Sequence, residues 1–174
     1  MTAPVLILPG WHNSGPTHWQ SLWQSAHGYV RVEQHSWDWP LRGDWMMQLE
    51  EAVLANPDAV LVAHSLGCLL VAAWAAHSLQ AHRVKAALLV APADIERAEM
   101  QQMLHSWSPI VRARLPFPSV MATSRNDPYC SFMRASALAH AWGSRMVDCG
   151  MCSHINADAN LGDWLEGFAL LQDL

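Results

Sequence analysis

The stretch Val60-Leu-Val-Ala-His-Ser-Leu-Gly-Cys68 is the most informative part of the chain. It begins as a continuous apolar run, which is typical of a strand buried on both faces. It then leads into residues 66–79, which are apolar almost all round and predict a buried helix. Ser65 therefore lies at the apex of a strand–turn–helix junction. This pattern matches the nucleophile elbow Gly-x-Ser-x-Gly, with Ala63 in place of the first glycine.

The small residues around Ser65 have a physical reason. The turn is tight and the helix packs close to the strand, so bulky side chains at positions 63 and 67 would clash. A serine that merely caps a buried helix is the simpler interpretation, but the strand and the helix both lie where an elbow requires them. The N–H of Leu66 and the helix dipole would then stabilise an oxyanion beside Ser65.

Short apolar runs alternate with segments of helical periodicity along the rest of the chain. This alternation predicts an α/β fold, with a doubly wound, mainly parallel six-stranded sheet and helices on both faces. The length favours one domain over residues 1–174. The predicted strands are 4–8, 29–35, 59–64, 86–91, 119–123 and 145–148. The predicted helices lie at 19–26, 45–53 with Asp44 as N-cap, 66–79, 96–105, 132–142 and 161–171, the last after a capping box of Asn160 and Asp163.

A serine nucleophile needs a base, and the base needs an acid to orient it. In a fold of this type the acid and then the base follow late strands, in the order Ser, Asp or Glu, His. Asp127 follows the strand at 119–123, and His154 follows the strand at 145–148. Asp94 is the rival acid, although it resembles a helix cap more closely. His64 directly precedes Ser65 and is interpreted as a supporting residue.

The second donor for an oxyanion is expected in the loop after the first strand. That loop reads Pro9-Gly10-Trp11-His12-Asn13-Ser14-Gly15, and the N–H of Trp11 would pair with that of Leu66. Trp11 and His12 would then contact the substrate. Trp107, in the irregular segment 92–118, is predicted as a further substrate-binding residue. Trp37 and Trp39 are also candidates for a pocket wall.

The composition argues against several other classes of function. The chain has 174 residues, a formal net charge of −5 and 14% charged residues, against about 25% in an average soluble domain. A single lysine argues against nucleic-acid binding and against a polybasic membrane anchor. Residues 1–10 lack the pattern of a signal peptide, so we expect a cytoplasmic protein. The ten tryptophans remain to be explained by the fold.

Four cysteines raise the alternative of thiol chemistry. Cys149-Gly-Met-Cys152 lies close to His154 and has the spacing of a redox pair or of half a zinc site. No second Cys-x-x-Cys is present, and the pair lies near the C-terminal end instead of opening an early helix. We therefore expect free thiols, no bound metal and no organic cofactor.

With these residues identified, the chain resembles the small serine-hydrolase branch of the α/β-hydrolase superfamily, which includes retinoblastoma-binding protein nine. The motifs are Leu8-Pro-Gly-Trp11, His64-Ser-Leu-Gly67, Asn126-Asp-Pro-Tyr129 and Ser153-His-Ile-Asn156. The resemblance covers nearly the whole chain and implies a compact α/β-hydrolase fold without a large lid. Ala63 and Ser153 stand where glycine is usual in that family.

The resulting hypothesis is acyl transfer from a small-molecule substrate to water, with Ser65 as nucleophile, His154 as base and Asp127 as the orienting acid. A carboxylic ester is the expected substrate, and a peptidase or a thioesterase would use the same groups. A binding or scaffold protein with a vestigial triad is the alternative outside enzymology. The sequence does not indicate an oligomeric state.

Overall fold

The computed structural model describes residues 3–174. Six strands form one sheet in the order β2-β1-β3-β4-β5-β6, and every neighbouring pair is parallel. The strands are β1 (Val5–Leu8), β2 (Val30–Arg31), β3 (Ala59–His64), β4 (Val84–Val90), β5 (Ser119–Thr123) and β6 (Arg145–Asp148). The helices are α1 (Trp19–His27), α2 (Arg42–Ala55), α3 (Leu66–His77), α4 (Ala98–Gln101), α5 (Phe132–Trp142) and α6 (Leu165–Gln172).

The sheet divides the core into two apolar layers. Alternate residues of each strand point to opposite faces, so Leu6 and Leu61 pack with α2, α3 and α5. Ile7 and Val62 pack on the other side with the tryptophans of α1 and with α6. Helices on both faces explain why the strands are continuous apolar runs, and the predicted doubly wound α/β fold is confirmed.

The strand order reverses between β1 and β3. The chain leaves β1 toward β2 at one edge and then returns to β3 on the opposite side of β1. In open parallel sheets, the crevice beyond the carboxyl ends of such a strand pair is the usual place for a ligand. The loop after Leu8 and the turn after His64 both lie there.

Several predicted boundaries differ from the structure. The strand predicted at 29–35 is reduced to Val30–Arg31, because this edge strand pairs only with the short β1. The helix predicted at 96–105 is only Ala98–Gln101, followed by a 3-10 turn at His105–Trp107. The helix predicted at 66–79 ends at His77, where Ser78 becomes extended.

Two predicted helix caps are wrong. Asp44 lies in the first turn of α2, and its N-cap is Leu41, which offers no side-chain acceptor. Asn160 ends a 3-10 turn in left-handed backbone, so α6 begins only at Leu165. Within residues 3–174, every helix is too short or too polar to cross a bilayer.

The β1 loop and the elbow turn are packed backbone against backbone. A Cβ added at Gly67 would overlap the carbonyl oxygen of Leu8 and would lie 3.0 Å from the carbonyl oxygen of Pro9. A Cβ added at Gly10 would lie 2.8 Å from the Cβ of Ser65. Both glycines are therefore required by close approach, which explains the small residue at position 67.

We predict that Gly67→Ala destabilises the protein by about 1–3 kcal/mol, because the backbone at Leu8 has no flexible side chain that can yield. The free energy of unfolding in urea, followed by tryptophan fluorescence, measures this. Gly43→Ala in α2 is the matched control, since its added Cβ meets nothing within 4 Å. That control should be unchanged or at most about 1 kcal/mol more stable. Equal stability of Gly67→Ala and wild type would contradict the close packing.

Candidate active site

Ser65 occupies the sharp turn between β3 and α3. Its backbone has φ 55° and ψ −118°, outside the regions that an L-residue usually adopts. The turn is held by hydrogen bonds from the N–H of Ser65 to the carbonyl of Val90, 2.9 Å, and from the N–H of Cys68 to the carbonyl of Ser65, 3.0 Å. This strained backbone projects the hydroxyl beyond the carboxyl end of the sheet.

The structure brings Ser65, His154 and Asp127 into one hydrogen-bonded row. The Ser65 Oγ lies 2.9 Å from Nε2 of His154, and the Nδ1 of His154 lies 2.8 Å from Oδ2 of Asp127. A carboxylate accepts only, so Nδ1–H of His154 donates to Asp127. This leaves Nε2 of neutral His154 as the acceptor for the Ser65 hydroxyl. The side chains of His154 and Asp127 are only 7% and 4% exposed.

The alternative acid, Asp94, is not part of this row. Its Oδ1 lies 3.3 Å from the guanidinium of Arg134 and also accepts from the N–H of Glu96. Asp127 is instead fixed by the backbone N–H of Tyr129, which donates to its Oδ1 at 2.8 Å. The Tyr129 ring packs edge-on against His154, with ring centroids 4.6 Å apart.

The loops that carry Asp127 and His154 are fastened to each other. Oδ1 of Asn126 accepts from the N–H of Ser153 at 2.8 Å, and Ser124 Oγ accepts from the N–H of Cys152 at 2.9 Å. These bonds immediately precede His154 in the chain. Ser153 has φ 50°, in the left-handed region, which glycine adopts without a steric penalty.

His64 and Trp19 fasten the same loop from inside the core. The carbonyl of His154 accepts only, so Nε2–H of His64 donates to it, at 2.9 Å. The indole N–H of Trp19 donates to the carbonyl of Ile155 at 2.8 Å. Burial lowers the pKa of His64 well below its usual value, so its ring is neutral. The supporting role expected for His64 is thus a bond to the backbone of His154.

The N–H groups of Trp11 and Leu66 lie on the two sides of the close contact between the β1 loop and the elbow. Among residues 3–174 neither N–H has a hydrogen-bond acceptor. Arg31, on the edge strand, holds the β1 loop in place. Its guanidinium donates to Oδ1 of Asn13 at 2.5 Å and to the carbonyl of Ser14 at 3.0 Å.

A cavity of about 510 Å³ adjoins these groups. Small-molecule sites are usually about 300–1,000 Å³. Apolar lining residues come from the segment 93–104. Polar lining residues come mostly from the loops after β1 and β6. The lining residues are Gly10, Trp11, His12, Asn13, Gly15, His18, His64, Ser65, Leu66, Ala93, Met100, Met103, Leu104, Tyr129, His154, Asn156, Ala157 and Asp158.

The predicted substrate-binding residues separate into two groups. Trp11 and His12 line the cavity with stacked rings, their centroids 4.3 Å apart. Trp107 does not, and its assignment to the substrate pocket is wrong. Its ring is 1% exposed, packs against Trp45 and donates its N–H to the carbonyl of Pro40 at 2.9 Å. The side chain of Trp107 instead packs in the core with its apolar neighbours in the sequence.

Neither of the other two candidate tryptophans lines the cavity. Trp37 packs partly buried against the core, edge-on to Trp45. Trp39 is 77% exposed on the surface.

The four cysteines are free thiols in the structure. Burial raises the pKa of Cys149 to about 11, which keeps this thiol protonated and a poor nucleophile. Cys152 donates its thiol to the carbonyl of Cys149. Over residues 3–174, no three side chains of the metal-binding types converge closely enough to hold an ion.

Several residues that build the site were not identified from the sequence. Asn126 and Ser124 fasten the loops, and Gln20 is completely buried, with its amide donating to the carbonyls of Leu8 and Val62. His18 lines the cavity. The polar Gln20 on the apolar face of α1 is the one signal in the sequence that could have indicated such a contact.

Comparison with known proteins identifies one family whose model matches the chain and many solved structures with a similar fold. The model of the family described as serine hydrolase matches residues 5–173. No curated protein matches the chain in sequence. A YdeN-like hydrolase of Pectobacterium atrosepticum has a similar structure, with a TM-score of 0.86 and 29% identity over 99% of this chain and 90% of that one.

Two further solved structures share the fold at lower identity. The ydeN gene product of B. subtilis has a TM-score of 0.78 and 18% identity, over 99% of this chain and 98% of that one. Esterase 2 of Thermogutta terrifontis has a TM-score of 0.67 and 16% identity, over 98% of this chain and 81% of that one.

We predict a change in acid stability when His64 is replaced. Its pKa is lowered in the folded state and ordinary, near 6.5, in the unfolded chain, so below pH 6.5 only the unfolded chain takes up the proton. Stability therefore falls as the pH falls, by at most about 1.4 kcal/mol per pH unit from this group. His18 and His154 are the ionisable groups that face it.

The variant His64→Gln keeps an N–H donor for the carbonyl of His154 but cannot titrate. Between pH 6 and pH 5, its free energy of unfolding should fall less steeply than that of wild type, by about 1 kcal/mol per pH unit. Urea titrations at both pH values measure the two slopes. Identical slopes would show that the folded state does not exclude the proton from His64.

Proposed function

The chain belongs to the serine hydrolase family and is a hydrolase, and from that premise we propose that it cleaves a carboxylic ester or a related acyl bond through an acyl-enzyme. This agrees with the resemblance indicated by the sequence motifs. The observation that carries the proposal is the row from Ser65 through His154 to Asp127, with contacts of 2.9 and 2.8 Å.

In the proposed first step, Oγ of Ser65 attacks the acyl carbon while Nε2 of His154 takes the hydroxyl proton. The carbonyl π electrons move to oxygen and form a tetrahedral oxyanion. When the oxyanion collapses, the bond to the leaving group breaks, and His154 returns its proton to that group. Water then repeats the sequence on the acyl-enzyme, which releases the acid and regenerates Ser65.

The oxyanion would be held by the backbone N–H groups of Trp11 and Leu66. Both are free of other acceptors within the described chain, and Gly10 and Gly67 allow the two backbones to approach each other. Such donors are fixed before the reaction begins, so they stabilise developing charge without reorganising. Arg31 supports this arrangement because it holds Asn13 and Ser14.

The cavity favours a small acyl substrate. Its volume of about 510 Å³ suits a small molecule, and Met100 and Leu104 offer an apolar surface to an acyl or leaving group. A carboxylic ester is the proposed substrate, in keeping with the fold shared with esterase 2 of Thermogutta terrifontis. The free cysteines support our proposal that the protein works in a reducing compartment such as the cytoplasm.

We predict that a fluorophosphonate probe labels the wild type and that Ser65→Ala abolishes both labelling and hydrolysis of 4-nitrophenyl butyrate. The probe forms a covalent bond only with an activated serine. A scaffold protein with a vestigial triad would show no labelling of the wild type, and labelling of Ser65→Ala would exclude Ser65 as the nucleophile. A Cys149→Ser/Cys152→Ser variant is the control and should retain both probe labelling and ester hydrolysis. A protein that depends on thiol chemistry would instead lose its activity in this variant.

We also predict that Asp127→Asn lowers kcat by about 10³- to 10⁴-fold, because an amide no longer holds His154 in the tautomer with Nε2 free. Asp94→Asn is the matched control and should retain most of the activity, since Asp94 contacts Arg134 and not His154. Steady-state kinetics on the butyrate ester separate the two variants. A greater loss in Asp94→Asn than in Asp127→Asn would reverse the assignment of the acid.

A further inference from the structure

Residues 96–110 form a loop (the 96–110 loop) whose two ends meet at one side chain, that of Glu96. Oε1 of Glu96 accepts from the backbone N–H of Ile110 at 2.9 Å, so a hydrogen bond closes the base of the loop. Between these ends, three apolar side chains line the cavity: Met100, Met103 and Leu104. The proposed mechanism gives no role to Glu96.

The other carboxylate oxygen of Glu96 fastens the loop to α5. Oε2 accepts from Nη2 of Arg112 at 2.6 Å and from Nη2 of Arg134, which lies on α5 and also contacts Asp94 at 3.3 Å. Partial burial by itself would raise the pKa of Glu96, but its bonds to the N–H of Ile110 and to the two guanidinium groups lower this pKa overall. Glu96 is therefore ionised at neutral pH, and its charge holds two positive charges together.

The part of the loop that carries the two methionines is held mainly by polar contacts. Ile95 and Leu104, which are 0% and 1% exposed, anchor the chain in the core on either side, but none of the residues between them is buried. The side-chain amide of Gln101 donates to the carbonyl of Glu96 at 2.9 Å, and Arg97 donates to a backbone carbonyl before α5 at 2.6 Å. Segments with few buried contacts open most easily, so the position of α4 depends on how firmly Glu96 is held.

We propose that Glu96 is a positioning residue that sets the substrate preference of the site. Its carboxylate holds the base of the 96–110 loop closed and fixed to α5, so that Met100 and Met103 stay in place as an apolar surface of the cavity. A surface that is already fixed need not be ordered when the substrate arrives. The site therefore favours esters whose acyl or alcohol group is apolar and long enough to reach this surface. This inference rests on the proposed hydrolysis and names a feature of its substrate.

The variant Glu96→Gln keeps the size of the side chain and removes its charge. Its single amide oxygen replaces two carboxylate oxygens, so the three donors around position 96 can no longer all be satisfied. Arg112 and Arg134 would keep only the more distant Asp94 as a negative neighbour and would repel each other. We therefore expect the base of the 96–110 loop to open in this variant.

Paired esters measure the preference. The pair 4-nitrophenyl hexanoate and 4-nitrophenyl acetate differs in the acyl group, and the pair hexyl acetate and methyl acetate differs in the alcohol. The measured quantity is the ratio of kcat/KM for the longer ester to that for the shorter one, in wild type and in Glu96→Gln. In at least one pair this ratio should fall about 5-fold, because the loop must then be ordered on binding. Unchanged ratios in both pairs would overturn the proposal.

Two variants show whether lost charge or lost stability could give the same result. Glu99→Gln removes a negative charge from the same loop, where Glu99 is exposed and pairs with Arg97. Glu50→Gln removes a carboxylate that accepts two side-chain hydrogen bonds near the end of α3, away from the cavity lining. Both variants should keep the wild-type ratios. A fall in either one equal to that in Glu96→Gln would overturn the role of Glu96.

Hydrogen exchange followed by NMR tests the position of the loop and needs no substrate. The N–H of Ile110 donates to Glu96, and the N–H of Leu104 donates to the carbonyl of Met100 at 2.9 Å. Both amides should exchange about 10-fold faster in Glu96→Gln than in wild type, whereas the amides of β4 should be unchanged. A fall in the ester ratios without faster exchange would overturn the proposal, because Glu96 would then act in some way other than by holding the loop.

Binding of unreactive amides separates this inference from the proposed hydrolysis. N-methylhexanamide, N-hexylacetamide and N-methylacetamide are titrated into Ser65→Ala and into Ser65→Ala/Glu96→Gln, with binding followed by NMR. A preference for a longer amide that is about 5-fold weaker without the carboxylate supports the proposal, even if the wild type hydrolyses none of the esters. That absence of hydrolysis would count against the proposed function alone. The same preference in both proteins would overturn the role of Glu96.

Discussion

The contact between the β1 loop and the turn at Ser65 is the constraint on which the site depends. Gly67 lies against the carbonyls of Leu8 and Pro9, and Gly10 lies against the Cβ of Ser65. Because the order of strands reverses here, no intervening strand separates the two loops. The approach places the N–H groups of Trp11 and Leu66, which have no acceptor among residues 3–174, beside the hydroxyl of Ser65. Any side chain at positions 10 or 67 would separate the groups that the proposed reaction holds together.

The loops beyond the sheet are held by buried side-chain donors that reach distant carbonyls. Trp19 bonds to Ile155, Trp23 to Asp163 and His64 to His154, each across 90 or more residues of sequence. An indole fills core volume and still presents one N–H, so it can pack in the core and also hold a loop by a hydrogen bond. This explains much of the high tryptophan content: Trp11, Trp45, Trp107 and Trp142 also donate to loop carbonyls.

Local signals allowed the central elements to be predicted, and long-range contacts account for the errors. The strand at 59–64 and the helix at 132–142 have the predicted bounds, because a continuous apolar run and the Ser131 cap are encoded locally. Trp107 was misplaced because an aromatic ring in an irregular segment does not reveal whether it faces a cavity or the core. The position of His18 beside the cavity depends on segments that are far apart in the sequence, which no spacing in the sequence shows.

Burial and hydrogen bonding give different roles to the three clustered imidazoles of His18, His64 and His154. His18–His64 and His64–His154 have ring centroids 4.8 and 4.9 Å apart. Burial lowers the pKa of both His18 and His64, so both rings are neutral and place no positive charge beside His154. Of the three rings, only that of His154 has an acidic partner in Asp127, and only its Nε2 faces Ser65. In the proposed reaction, proton transfer is thereby confined to Nε2 of His154, while the ring of His64 holds the loop and the neutral ring of His18 lies beside the cavity.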